Sequence, residues 1–355
     1  MHALVIGGGV AGPATAVALR SIGVDVTVCE ARPAEDKDVG LWVMVAPNGL
    51  AALDVLGLKE TVLHESLAGA VGPSGFAPIR RVGLYRLLRE AAAARGARIE
   101  HDRKLVGAYS TADGVVARFA DGSTLAGDLL VGCDGIHSRT RSVIDPAAPT
   151  TRYVPLLNLG GFASGVDAPG EAAQLQFVRG PKGFFGYAGS GTGEVWWFAN
   201  LPWGAEPSRA ELAAMDRASL TGRLLDTFAE APPFVADVIR ATYTDLYALP
   251  THDLATVPTW SRDGMVVLGD AAHATTPTSG QGSSMALEDA VVLAKCLRDL
   301  PRQQALARYE ELRRERVEGI VALGARASAA KLNDASPDGA LDWVLDYRID
   351  WAARV

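Results

Sequence analysis

The chain opens on a short apolar run, Ala3-Leu4-Val5-Ile6, which reads as a buried strand. Residues 10–22 then follow a helical period with Val17 and Ala18 on the sheet side, and Gly23 ends the helix. Val24 to Cys29 is apolar at alternate positions, the pattern of a second strand. Helical periodicity returns at 47–56 and at 83–95, the latter stopped by Gly96. Residues 98–131 alternate as short strands around two turns, Asp113-Gly114 and Asp121-Gly122.

Residues 151–245 have a different texture. They are rich in aromatics and glycine and alternate as strands do, then turn helical at about 209–229 and 234–240. Ser208 and Glu211 have the spacing of a capping box for the first of these helices. Met265 to Leu268 is another buried strand. Helical patterns follow to about 299 and from 303 to about 330, and Ser336-Pro337 opens a last short helix.

Chemistry enters at the joints of this pattern. Gly7-x-Gly9-x-x-Gly12 lies between the first strand and helix, and Glu30 ends the second strand. Glycines so placed, with Ala11 among them, allow a tight turn, close approach to a pyrophosphate and close helix packing. The helix start then presents unpaired N–H groups and a positive dipole end to the phosphates. A carboxylate at position 30 suits ribose hydroxyls, and Arg32 suits either a 2′-phosphate or, in the preferred reading, a surface place beside an adenine. Dinucleotide binding follows from the strand, the helix and the acid falling in place together.

Three weaker signals lie downstream. Arg81, opening a helix, either reaches a phosphate or ribityl oxygen or is an exposed helix-start arginine. Asp134-Gly135-x-x-Ser138-x-x-Arg141 follows the apolar Leu129-Leu130-Val131, and its acid suits either a turn beside a ligand or an ordinary helix cap. Gly269-Asp270 repeats that geometry, so Asp270 is a candidate acceptor for ligand hydroxyls. Pro277, Gly280, Gln281 and Gly282 then form an irregular loop into a helix at Ser283, whose start is suited to stabilising negative charge on a ligand ring. His273 is either a catalytic acid or, in the preferred reading, a structural histidine. Gly189-x-Gly191-x-Gly193 precedes a strand and reads as a hairpin turn, which leaves no second fingerprint for a nicotinamide.

Composition narrows the class. The net charge of −7 and the lack of a strongly basic stretch argue against nucleic acid as a partner. Cys29, Cys133 and Cys296 form no C-x-x-C pair and the six histidines are scattered, so no metal site is expected and a reducing compartment is. With no apolar run long enough for a membrane span and no charged leader, a cytoplasmic protein is expected, as monomer or homodimer.

Taken together, these motifs resemble the group A flavoprotein monooxygenases, the para-hydroxybenzoate and salicylate hydroxylase family. The likeness runs from Gly7 to about Ala330 and rests on the glycine fingerprint, Glu30, Arg81, Asp134-Gly135 and Gly269-Asp270 through Gly282. It implies an α/β fold: a Rossmann-like FAD-binding domain of the GR2 type from residues 1–70, 80–150 and 246–330. A mostly β substrate domain (71–79 and 151–245) is inserted, and a helical tail (331–355) follows. It also implies that Asp134 serves FAD and nicotinamide and that Asp270 holds the ribityl chain. Trp42 and Met44 are bulky where small residues are common beside the flavin, and Ser284 stands where many members have asparagine. The thioredoxin-like extension of the phenol hydroxylase branch is not expected.

By the resemblance, NAD(P)H reduces FAD, O2 adds at flavin C4a, and the hydroperoxide hydroxylates or epoxidises an aromatic or polycyclic small molecule. The cofactor carries that chemistry, so no side-chain nucleophile is required. The alternatives are a flavin dehydrogenase or reductase on the same fold and a non-catalytic flavin-binding partner protein. The substrate site should lie between the flavin and the inserted sheet. If 183–188 and 194–199 pair, Phe185, Tyr187 and Trp197 share one face and Phe184, Trp196 and Phe198 the other. One face should cover the pocket and the other pack on helices, and each aromatic taken singly suits the core better than the pocket. Of the two faces, that of Tyr187 and Trp197, with Trp42, is preferred for the pocket wall, because Tyr187 can hydrogen-bond a substrate.

Overall fold

A computed structural model describes residues 1–34, 41–67, 69, 71–180, 183–246, 248–332 and 341–355. Strand His2–Ile6 lies inside a six-stranded sheet, parallel to Asp25–Cys29 on one side and to Leu129–Gly132 on the other. Met265–Val267 extends the sheet beyond Leu129–Gly132, and Arg98–Glu100 closes the opposite end. The central strands are mostly apolar because both faces are covered, one by helix Ala11–Ser21 and the other by a three-stranded sheet of Leu105–Thr111, Gly114–Phe119 and Thr124–Gly127. The helix buries Val17, Ala18 and Leu19. His2–Ile6 and its neighbour Leu129–Gly132 thus end side by side, where the glycine turn and the Asp134 turn meet, a crevice at the carboxyl ends of parallel strands.

A second sheet of five strands is antiparallel. It is ordered Gln176–Gly180, Gly183–Gly189, Glu194–Pro202, Arg152–Ser164 and Leu249–Asp253. Its central hairpin turns at Gly191 and Gly193, both with positive φ, as the glycine spacing predicts. Helices Arg217–Thr227 and Pro233–Arg240 cover one face with Leu220, Leu224, Val235 and Val238. The capping box of Ser208 and Glu211 is present, but its helix stops at Ala214. Asp216 then caps a separate helix by accepting from the Ser219 N–H, so the predicted span 209–229 is two helices.

Residues 77–79, expected with the inserted sheet, form with Arg80 a strand that pairs with Trp42–Val45 as a two-stranded ribbon. Helix Gly282–Asp299 is buried along most of its length and packs against helix Arg302–Leu332. The predicted helix start at Ser336-Pro337 lies outside the described residues, and the short helix seen near the end is Asp342–Leu345. Among the described residues no helix is long and apolar enough to cross a membrane, and no group of three or more acidic, histidine or cysteine side chains could hold a metal ion.

Candidate active site

The glycine turn is built by exclusion of side chains. A Cβ on Gly12 would lie 1.8 Å from the Gly7 carbonyl oxygen, and one on Gly7, at φ +109°, would lie 2.4 Å from that of Cys133. Gly9 differs: a Cβ there meets nothing closer than 3.9 Å, because its far side is the wall of a cavity. Glu30 is buried behind the turn. Its carboxylate accepts from the Gly8 N–H at 2.5 Å and from the Arg32 N–H at 3.0 Å, and the Arg32 guanidinium lies 3.5 Å away.

The cavity has a volume of about 420 Å³, in the range of small-molecule sites. Gly9, Ala11, Arg81 and Asp270 bound its glycine-turn end. Pro277, Gly280, Gln281, Gly282 and Ser283 line it where helix Gly282–Asp299 begins. That helix start has no side-chain cap and no acid in its first turn, so an open positive end borders the cavity.

Asp270 is enclosed by protein yet its carboxylate faces the cavity space, which is why it is both deep and solvent-accessible. Burial pushes its pKa up, against the pull of His273 and Arg81. It accepts no hydrogen bond from any described residue. A ligand hydroxyl placed there would satisfy it, so this unfilled acceptor and the open Gly9 wall fit the ribityl and phosphate portions of a flavin dinucleotide.

Asp134, His273 and Ser284 are each engaged by other parts of the protein. Asp134 accepts from the Ser138 hydroxyl at 2.5 Å, from the N–H groups of Arg139 and Thr140 at 2.8 and 2.9 Å, and from the Thr140 hydroxyl at 3.1 Å. It holds the start of helix Arg139–Ile144, and the neighbours that line the cavity are Cys133 and Gly135. Burial drives the Cys133 thiol well above the ordinary range, so it is not a nucleophile at neutral pH. His273 is buried, with Nε2 2.5 Å from Asp289, and packs on Trp260. Ser284 accepts from the Ala46 N–H at 3.1 Å and faces Gly49, not the cavity.

At the opposite end the five-stranded sheet forms the wall. Register puts Asn158 opposite Asn200, Gly160 opposite Phe198 and Phe162 opposite Trp196, all on the cavity side. Phe198 lies over Gly186, where a Cβ would come within 2.4 Å of the ring, and Leu41 packs over Gly160 in the same way. Trp42 reaches both Phe198 and Trp196, with ring centroids 5.8 and 6.2 Å away. The expectation for Phe185, Tyr187 and Trp197 needs correcting. They point to the other face, into the core beneath the two covering helices, where Phe185 stacks on Trp197 and Tyr187 meets Phe234. The Trp197 indole N–H donates to Thr242 at 2.9 Å. Asn158 escaped sequence reasoning; its signal is visible only in register, as two asparagines paired on one face of otherwise apolar strands.

This geometry, an anion-ready glycine turn and an uncapped helix start around a half-apolar cavity, defines a dinucleotide-dependent oxidoreductase. The family described as an FAD binding domain matches residues 71–323. An FAD-dependent urate hydroxylase of Mycolicibacterium vanbaalenii is 30% identical, over 90% of this chain and 86% of its own. Aurachin C monooxygenase/isomerase of Stigmatella aurantiaca is also 30% identical, with the same shares. The Klebsiella pneumoniae HpxO structure with FAD and uric acid superposes with a TM-score of 0.81 at 29% identity, covering 93% of this chain and 88% of that one. The chain belongs to this FAD-binding family. It is an FAD-dependent monooxygenase, an oxidoreductase of the group A type.

Proposed function

We propose that the cavity holds FAD along its glycine-turn end and an aromatic or polycyclic substrate against the five-stranded sheet, which the enzyme hydroxylates or epoxidises with NAD(P)H and O2. The observation that carries this reading is the meeting of an unfilled acid, Asp270, and an open helix start with an apolar wall in one cavity.

When bound, FAD supplies the redox chemistry that activates oxygen. The chain's residues supply position and charge. Gly7, Gly9 and Gly12 let the backbone approach the pyrophosphate, and Ala11 keeps the helix start narrow. Glu30 accepts from the adenosine ribose, with Arg32 beside the adenine. Arg81 offers a cation to a phosphate or ribityl oxygen, and Asp270 accepts from ribityl hydroxyls. Pro277 and Gly280 shape the loop, while Gln281, Gly282 and Ser283 aim the positive helix end at charge that develops on the ring. Asp134 acts indirectly by holding the Cys133–Gly135 turn. Trp42 and Phe198 keep water from the reacting end.

The division into a discontinuous FAD domain and an inserted substrate domain is part of this proposal, supported by separate cores beneath the two main sheets. A reducing, cytoplasmic setting is likewise proposed, supported by three buried, unpaired cysteines.

The test is to purify the protein, record its visible spectrum, and add NADH or NADPH in air with phenolic and polycyclic compounds. A bound flavin, and one compound that accelerates nicotinamide oxidation and gains an atom from labelled O2, is the expected outcome. Oxidised substrate without label would make the enzyme a dehydrogenase instead.

A further inference from the structure

We infer that the substrate is an uncharged ring system, read at one hydroxyl or carbonyl group by the carboxamide of Asn158. This deepens the proposed function and rests on the sheet end of the cavity being the substrate end.

Two observations carry it. The first is the distribution of charge. Arg81 and Asp270 are the only charged side chains among the described residues that line the cavity, and both lie at the glycine-turn end. The sheet end is bounded by Leu41, Trp42, Met44, Phe198 and Leu249, and among the described residues that line it there is no cation to receive a carboxylate. A carboxylate placed there would lose its hydration without gaining a partner.

The second is the state of Asn158, the polar side chain in that wall. Its Nδ2 donates to Thr251 Oγ1 at 2.8 Å, and its Oδ1 accepts from Asn200 Nδ2. A carboxamide has two N–H groups and two lone pairs. One of each is used, and the two contacts fix the plane and rotamer of the group. One N–H and one lone pair remain without a protein partner among the described residues. An amide held this way can donate to a carbonyl or accept from a hydroxyl, and it has no net charge with which to select an ion. A site built to hydrogen-bond such a group discriminates strongly against an analogue that lacks it, because its own polar atoms are then left unpaired.

Uric acid, the ligand of the Klebsiella pneumoniae structure, carries negative charge at neutral pH and has hydrogen-bonding groups around its whole edge. Among the described residues, the sheet end of this cavity offers it one polar side chain, Asn158. The inference therefore separates this chain's substrate from that ligand.

The experiment is equilibrium binding to the FAD-loaded enzyme, read by quenching of tryptophan fluorescence, since Trp42 borders the site whether or not flavin is present. The probes are 1-naphthol, 1-hydroxy-2-naphthoate, naphthalene and uric acid. We expect 1-naphthol to bind at least ten-fold more tightly than either anion, and more tightly than naphthalene. In Asn158→Leu the preference of naphthol over naphthalene should vanish while naphthalene binds as before. Tighter binding of the carboxylate or of urate, or an unchanged naphthol-to-naphthalene ratio in the variant, overturns the inference. The wild-type comparison of neutral and anionic probes decides the charge question even if the variant fails to fold. A protein that takes up no FAD, judged from its visible spectrum, is the failure of the underlying flavin reading. An FAD-loaded enzyme with the reverse preference is the failure of this inference alone.

Discussion

The side-chain amide of Asn48 donates to two carbonyl-type oxygens at once, Gln281 Oε1 at 3.0 Å and Glu288 Oε1 at 2.6 Å. All three residues are buried. Gln281 stands at the start of the helix that borders the cavity, and Glu288 lies within that helix facing Arg313 and Arg316. Arg316 also donates to the backbone carbonyls of Trp343 and Val344. One amide thus joins the cavity loop to a buried charge cluster and, through it, to the chain's last segment.

Removing that amide should loosen the helix start. In Asn48→Leu the volume is nearly kept, but the Gln281 carbonyl and one Glu288 oxygen lose a donor, at a cost of about 1–3 kcal/mol. The expected result is a lower melting temperature together with weaker FAD binding by fluorescence titration. A variant that melts lower but binds FAD with unchanged affinity would show that the link supports the fold without positioning the loop.

The charge cluster also sets a pH dependence. Burial pushes the Asp289 carboxyl up, but His273 and Arg313 outweigh it and hold the group well below the ordinary range. Glu288 is lowered in the same sense, burial being overcome by Arg313, Arg316 and Asn48. A carboxyl whose folded pKa is depressed contributes stability that is complete above its unfolded pKa of about 4 and is lost as pH falls through the folded value. These two groups should therefore leave the melting temperature flat from neutral pH to roughly 5 and make it fall steeply below about 4. Asp289→Asn should be less stable at neutral pH, by about 3–5 kcal/mol since Arg313 and His273 lose a buried partner, and should show a shallower acid limb. An equally steep limb would assign the acid sensitivity to other carboxylates.

The glycine turn separates folding from binding. Gly12→Ala puts a methyl 1.8 Å from the Gly7 carbonyl, which only movement of the turn can relieve, so both stability and FAD binding should be lost. Gly9→Ala meets no atom within 3.9 Å in the protein itself and intrudes only on the cavity. It should melt like the wild-type apoprotein and bind FAD at least ten-fold more weakly, about 1.4 kcal/mol. Normal FAD affinity in Gly9→Ala would move the pyrophosphate away from this turn.

What could be read from the chain and what could not have a common physical basis. The Gly7–Gly12 and Gly269–Gly282 segments were legible because each is contiguous, and local spacing alone dictates their turns. The buried cluster of Glu288, Asp289, Arg313 and Arg316 was not: on either helix alone these look like a solvated face, and they are desolvated only when the two helices pack. Asp134 stayed ambiguous for a different reason. A capping acid and a ligand acid need the same strand-end position, and the donors that Asp134 receives from Arg139 and Thr140 are set only by the folded turn.

The hairpin of the inserted sheet gives the sharpest case. Alternation sorts Phe185, Tyr187 and Trp197 from Phe184, Trp196 and Phe198, but both sets are apolar because both faces are covered. Which face meets the cavity depends on helices Arg217–Thr227 and Pro233–Arg240, whose apolar sides claim the first set. Paired substitutions test this directly. Tyr187→Phe alters a core position and should leave KM and kcat unchanged, with at most a small loss of stability. Phe198→Leu trims a cavity wall and should raise KM by roughly ten-fold, the equivalent of about 1.4 kcal/mol of lost apolar contact, with FAD binding intact. It should also raise the fraction of NAD(P)H oxidised without product, since a gap beside Trp42 admits water to the reacting end. Steady-state kinetics with product quantification decide the matter: a KM change in Tyr187→Phe and none in Phe198→Leu would exchange the roles of the two faces.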